Sequence, residues 1–107
     1  MGNKVSENSV IRESVKYLKT LTGFKGYKRS GNEKRRGEPD YTGCFEGFCP
    51  NCGLKIPGKR LEIEFKAPGK GLTELQAQRL KEWKDLGVAC GVSSSLEETK
   101  EIIEPHI

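Results

Sequence analysis

A chain of 107 residues with 34% hydrophobic content supports one domain with a single modest core and leaves no room for a second. No apolar run approaches the roughly 18 residues that span a bilayer, and the amino terminus shows no signal-peptide h-region, so the expectation is a cytoplasmic protein without a membrane partner. The net charge of +4 is unevenly placed. Lys25, Lys28, Arg29, Lys34, Arg35 and Arg36 stand against Glu33 alone, whereas Glu97, Glu98, Glu101 and Glu104 outnumber Lys100 near the end. The positive field therefore lies in the first half of the chain, where it suits a polyanion.

In chain order, Val10, Ile11, Val15, Leu18 and Leu21 recur at helical spacing behind Ser6, an N-cap residue, and ahead of Gly23, which predicts a helix over about 7–21. Glu7 falls on the apolar stripe of that helix. A carboxylate there is either a first-turn acid favoured by the helix dipole or a group aimed at a site. Residues 23–38 are rich in Gly, Lys, Arg, Ser and Asn without sustained periodicity and predict a mobile loop, its basic part spanning 25–36. A strand is expected from Asp40 through Phe45. An excursion over 45–58, punctuated by Gly and Pro, then leads into a second strand over 60–66, forming a hairpin with an elaborated tip.

Antiparallel pairing brings the end of the hairpin that holds Asp40 beside the end that holds Glu64 and Lys66. Alternation puts Glu62, Glu64 and Lys66 on one face of the second strand and Leu61, Ile63 and Phe65 on the other. A loop at 67–71 precedes a helix capped by Thr73, carrying Leu75, Leu80, Trp83 and Leu86 and ended by Gly87. Gln76, three residues after Thr73, completes a capping-box pattern. Val88–Val92 reads as a short buried strand, and Ser93–Ser95 lead into a terminal helix. Helix, strands, helix, strand and helix in that order predict an α/β sandwich around a central mixed sheet.

The chemistry concentrates on the hairpin. A hard cation such as Mg²⁺ needs one or two carboxylates together with waters and phosphate oxygens, so Asp40 and Glu64 suffice as anchors, with the Phe65 backbone carbonyl as a further ligand. Lys66, on the same face as Glu64, could orient or deprotonate an attacking water or stabilise charge developing on a phosphate. Glu-x-Lys alone also occurs on solvated edge strands, where alternating charge deters pairing with other strands. Four cysteines in a reducing compartment read as thiols or metal ligands. Cys49-Pro50-Asn51-Cys52 resembles half of a zinc ribbon, Cys44 could be a third ligand, and Cys90, Glu46 or another subunit would supply the fourth.

Glu7, Gly37-Glu38-Pro39-Asp40, Leu61 through Lys66, Leu72 through Gln76, and Gly87 through Glu98 together resemble the PD-(D/E)xK nuclease superfamily. Within it the chain looks like the small phage and bacterial stand-alone VRR-NUC (virus-type replication-repair nuclease) domains. The resemblance covers nearly all of residues 1–107, and only the cysteine-containing insertion at 45–58 departs from the simplest pattern. It implies a restriction-endonuclease-like fold and a metal-dependent endodeoxyribonuclease, a phosphodiester hydrolase of replication, repair and recombination. Asp40 and Glu64 would hold Mg²⁺ or Mn²⁺, Lys66 would be the catalytic lysine, and Glu7 and Gln76 would support the site, Glu7 through a water. Lys25, Lys28, Arg29, Lys34, Arg35 and Arg36 would contact DNA. Related domains are similar to homodimeric enzymes of branched DNA such as Holliday junctions. The alternative is a non-catalytic DNA-binding or zinc-stabilised interaction module that uses the same basic loop and the cysteine hairpin.

Overall fold

Ser6 caps the first helix as its sequence suggests, its hydroxyl accepting the Ser9 amide at 3.1 Å. The computed structural model describes residues 6–30 and 36–107. Helix α1 (Glu7–Leu18) is followed by strands β1 (Lys25–Lys28), β2 (Tyr41–Phe48) and β3 (Lys55–Phe65), helix α2 (Glu74–Asp85), strand β4 (Ala89–Ser93) and helix α3 (Leu96–Ile103), which runs into a 3₁₀ turn at Glu104–His106. The sheet order is β1-β2-β3-β4. β1 and β2, and β2 and β3, pair antiparallel, whereas β3 and β4 pair parallel across α2. The chain is thus an α/β domain with a four-stranded mixed sheet and three helices. No helix among the described residues is long and apolar enough to cross a membrane.

Period-two alternation on β3 decides the layering. Leu61, Ile63 and Phe65 are fully buried and join Tyr41 and Phe45 of β2, Ala89 of β4, Val10 and Leu18 of α1, and Ile103 of α3 in one core. Each large side chain there contributes about 1.5–3 kcal/mol relative to exposure. The opposite, ionic face of β3 is covered by α2, where Leu80 presents its carbonyl to the Cys90 thiol at 3.5 Å. At the edge of the core, the buried hydroxyls of Ser14, Thr99 and Ser93 form a chain with 2.7 Å links. The single Ser93 proton goes to the Ser95 carbonyl at 2.8 Å. Thr99 must then donate to Ser93 and Ser14 to Thr99, which gives the chain one direction and ties α1, α3 and β4 together.

Four elements differ from the sequence expectation. Lys25–Lys28, placed in a mobile loop, is an edge strand whose register pairs Lys25 with Cys44 and Tyr27 with Thr42. Its partner Gly43 has no side chain because a Cβ there would stand 2.5 Å from the Lys25 carbonyl oxygen. Residues 31–35 of the basic loop, Lys34 and Arg35 among them, lie outside the described residues. The excursion at 45–58 is largely strand, since pairing continues to Phe48↔Lys55 beyond a bulge between Phe45 and Gly47. Pro57 and Gly58 sit in that bulge, where a missing amide costs no ladder bond. Helix α1 stops at Leu18, short of Leu21. Leu86, expected on the inner face of the second helix, is 75% exposed because α2 ends before it.

Candidate functional site

The site is built at the end of the sheet where β2 begins and β3 finishes. The turn that delivers Asp40 depends on Gly37, which has φ +81° and lies against Leu75 so closely that a Cβ would meet its Cγ at 2.5 Å. Any side chain there would push the turn off α2. The next residue, Glu38, is buried and accepts the Trp83 indole N–H at 3.0 Å, a second tie to α2.

Arg29 holds the turn from the other side. Its backbone N–H donates to the Asp40 carbonyl at 2.7 Å, and its guanidinium donates to the Pro39 carbonyl at 2.8 Å and to Glu62 at 2.6 Å. Arg29 is therefore not an outward-facing DNA contact. Its side chain is only 11% exposed and serves to place Asp40. Lys25, Lys28 and Arg36 do face solvent.

Glu62 is fully buried and balanced by more than Arg29. Thr42, its cross-strand neighbour, donates to Oε2, and Arg60 does so at 2.8 Å. Arg60 then stacks over the Trp83 ring at 4.1 Å. The sequence reading placed Glu62 on the ionic face without giving it partners. The signal lay in extending the alternation back one step, to Arg60-x-Glu62-x-Glu64-x-Lys66. A buried carboxylate on a strand requires cations beside it, and the nearest in sequence is Arg60.

Glu64, two residues further on, has different surroundings. It is 3% exposed. Its Oε1 accepts the Asp40 backbone N–H at 3.2 Å, its Oε2 accepts the Gln76 side-chain amide at 3.3 Å, and the Lys66 ammonium stands 3.6 Å from Oε2. Gln76 makes two contacts at once. Its amide oxygen accepts the Thr73 N–H at 3.0 Å as part of the capping box while its NH₂ group reaches Glu64. Asp40, Glu64, Lys66 and Gln76 are thus brought together. Glu7 is half-buried in the first turn of α1, and no hydrogen bond or ion pair links it to any of the four among the described residues.

No protein-family model, no curated protein and no solved structure matches the chain.

The donor set of the site is all oxygen: the carboxylates of Asp40 and Glu64, on adjoining segments, and the Phe65 carbonyl on the same strand. Such donors fit a hard divalent cation, which takes the balance of its shell from water and phosphate. Glu7 is not gathered with them, since no group of three or more His, Cys, Asp or Glu side chains among the described residues is placed to share a metal.

The expected zinc trio is likewise not assembled. Cys44 lies within the ladder, opposite Lys25 and Arg60. Cys49 and Cys52 belong to the turn at the hairpin tip, where the Cys49 N–H meets the Leu54 carbonyl at 2.8 Å. The five residues from Cys44 to Cys49 span roughly 15 Å of strand. Cys90 lies under α2, where its thiol donates to the Leu80 carbonyl at 3.5 Å and burial raises its pKa to about 11. The Cys49 thiol is shifted the other way, lowered by the amides of Asn51 and Cys52 and by the Cys52 side chain.

Proposed function

We propose that this chain is a divalent-metal-dependent DNA endonuclease with a PD-(D/E)xK, restriction-endonuclease-like arrangement of its sheet and helices. The observation that carries the reading is the convergence on Glu64 of the Asp40 backbone, the Gln76 amide and the Lys66 ammonium. Asp40, Glu64 and the Phe65 carbonyl would hold Mg²⁺ or Mn²⁺, which when bound polarises a phosphate oxygen and acidifies water. Gln76 fixes the rotamer of Glu64. Arg29 and Glu62 fix the turn that presents Asp40. Lys66, with an 18% exposed side chain at the rim, orients the attacking water or stabilises charge on the phosphate. Exposed Lys25, Lys28 and Arg36 position the DNA backbone without reading sequence, so selectivity falls to DNA shape, branched substrates included. A symmetric dimer would present two such sites to two strands of a junction.

Cleavage of plasmid, single-stranded and four-way-junction DNA, with Mg²⁺ or Mn²⁺ against EDTA, tests the proposal. Lys66→Ala is expected to lower the rate about 10²–10⁴-fold while folding and DNA affinity persist. A folded wild-type chain that binds DNA but never cuts it would move the assignment to a non-catalytic binding module.

A further inference from the structure

Four side chains able to ligate zinc adjoin one hollow. Cys49, Cys90 and His106 line a cavity of about 370 Å³ that reaches from the hairpin tip to β4 and the 3₁₀ turn after α3. Cys52 belongs to the same tip as Cys49. The backbone N–H groups of Asn51 and Cys52 point at the Cys49 sulfur, and the Cys52 thiol lies beside it. The turn is tight, with the Cys49 N–H bonded to the Leu54 carbonyl and the Gly53 N–H to the Cys49 carbonyl, each at 2.8 Å. A Cys-x-x-Cys turn of this kind presents two sulfurs to one tetrahedral metal.

The other two groups come from elements that the fold brings to the hollow. The turn carrying His106 rests on β2 at Gly47, where a Cβ would stand 2.9 Å from the His106 carbonyl oxygen. His106 Nδ1 is buried and has no hydrogen-bond partner among the described residues. A ring nitrogen so placed lacks the partner that buried polar atoms ordinarily have, and a metal would supply one. Cys90 reaches the hollow from β4, its thiol spent on a long 3.5 Å bond to the Leu80 carbonyl. Lys59, whose ammonium donates to the Gly87 carbonyl at 2.6 Å, and Lys84 line the same hollow. Zinc held by three thiolates and a neutral imidazole carries one net negative charge, which these cations offset. Cys44 takes no part, because it lies within the ladder opposite Lys25 and Arg60.

As they stand, the four side chains surround the hollow without converging, and no three of them form a group able to share a metal. Ligation therefore needs the tip to swing inward. The register of β2 on β3 shifts between Phe45 and Gly47, and a bulge at that point bends the strand just before Cys49. We propose that Cys49, Cys52, Cys90 and His106 of one chain form a structural zinc site that draws the hairpin tip onto β4 and the turn after α3. Each thiol releases its proton to solvent as it ligates, the imidazole binds as the neutral ring, and no electrons are exchanged. The site is independent of the nuclease reading, and its readouts are metal content, mass and melting temperature.

The test is a Zn²⁺ titration of the reduced, metal-stripped chain, with bound zinc, sedimentation and melting temperature read on the same samples. The expected result is one zinc per chain at unchanged mass, with a rise of about 10–20 °C in melting temperature at free zinc about 100-fold above Kd. Co²⁺ in place of Zn²⁺ should give the absorption of a tetrahedral complex of three sulfurs and one nitrogen. Cys52→Ser, Cys90→Ala and His106→Gln should each lose the rise, whereas Cys44→Ser keeps it. In EDTA at pH 8, His106→Gln should melt with wild type, which separates ligation from a part in folding. Half an equivalent of zinc with doubled mass, no uptake by the reduced chain, or uptake indifferent to Cys90→Ala or to His106→Gln would each overturn the proposal.

Discussion

Glu62 and Glu64 are two residues apart on one face of one strand, and replacing each by Gln should have opposite consequences. The Glu62 side chain is fully buried with three donors, of which Arg29 is 11% and Arg60 47% exposed. Arg60 can turn to water, so losing its pair costs about 0–1 kcal/mol. Arg29 cannot, because its guanidinium is bound to the Pro39 carbonyl. An uncompensated buried charge costs about 3–5 kcal/mol, and the oxygen that Gln retains brings the expected loss to about 3 kcal/mol. For a domain of this size that is a fall of roughly 12–24 °C in melting temperature and, at a slope of about 1.5 kcal/mol/M, about 2 M in urea midpoint. The contacts described for Glu64 include two amide donors, and its ammonium neighbour Lys66 stands at 3.6 Å. Glu64→Gln should therefore stay within about 1 kcal/mol of wild type while abolishing metal-dependent cleavage. Circular dichroism melts and urea titrations of both variants decide the matter. If Glu62→Gln melts within about 4 °C of wild type, or Glu64→Gln is the less stable of the two, the division of roles is wrong.

Other outcomes follow from single contacts. Gln76→Glu keeps an oxygen for the Thr73 amide but sets a second carboxylate against Glu64, so α2 should keep its stability while cleavage falls; equal loss of both would tie Gln76 to folding alone. In the directed hydroxyl chain, Thr99→Val strands the buried Ser14 donor and should cost about 1–3 kcal/mol, more than Ser14→Ala, which leaves only an acceptor unfilled; equal melts would contradict the proton order. Burial, aided by Lys59, lowers the His106 pKa below its ordinary 6.5. The unfolded chain then binds the proton more readily, so stability falls as pH drops through 6.5. In the metal-stripped chain, His106→Gln should soften that decline and change nothing at pH 8, as parallel melts across pH would reveal.

Much of this was legible because local chemistry and the fold agree. Ser6 and Thr73 cap their helices as written, and the alternation in Leu61–Phe65 fixes which face is core. Asp40 meets Glu64 because a hairpin returns the chain to its start. β1 was hidden because Lys25-Gly26-Tyr27-Lys28 has no apolar period, and its strand conformation comes from pairing with β2 rather than from its own residues. Arg29 was misjudged for a related reason. In a run of cations nothing local distinguishes the one that turns inward, and only the register past Lys28 places it under Pro39 and over Glu62. Gln76 bonds both Thr73 and Glu64 because α2 points its first turn at β3, a direction that no local pattern encodes.

The chain contains a single tryptophan, and its setting makes the molecule its own optical gauge. Trp83 has its indole nitrogen bound to Glu38, just before Asp40, and its ring face under the guanidinium of Arg60, which also serves Glu62. One fluorophore therefore senses both the turn and the strand that frame the candidate site. Anything that draws Arg60 away or shifts Glu38 should change its emission, so binding to the turn can be followed in unlabelled protein whether or not a bond is cut.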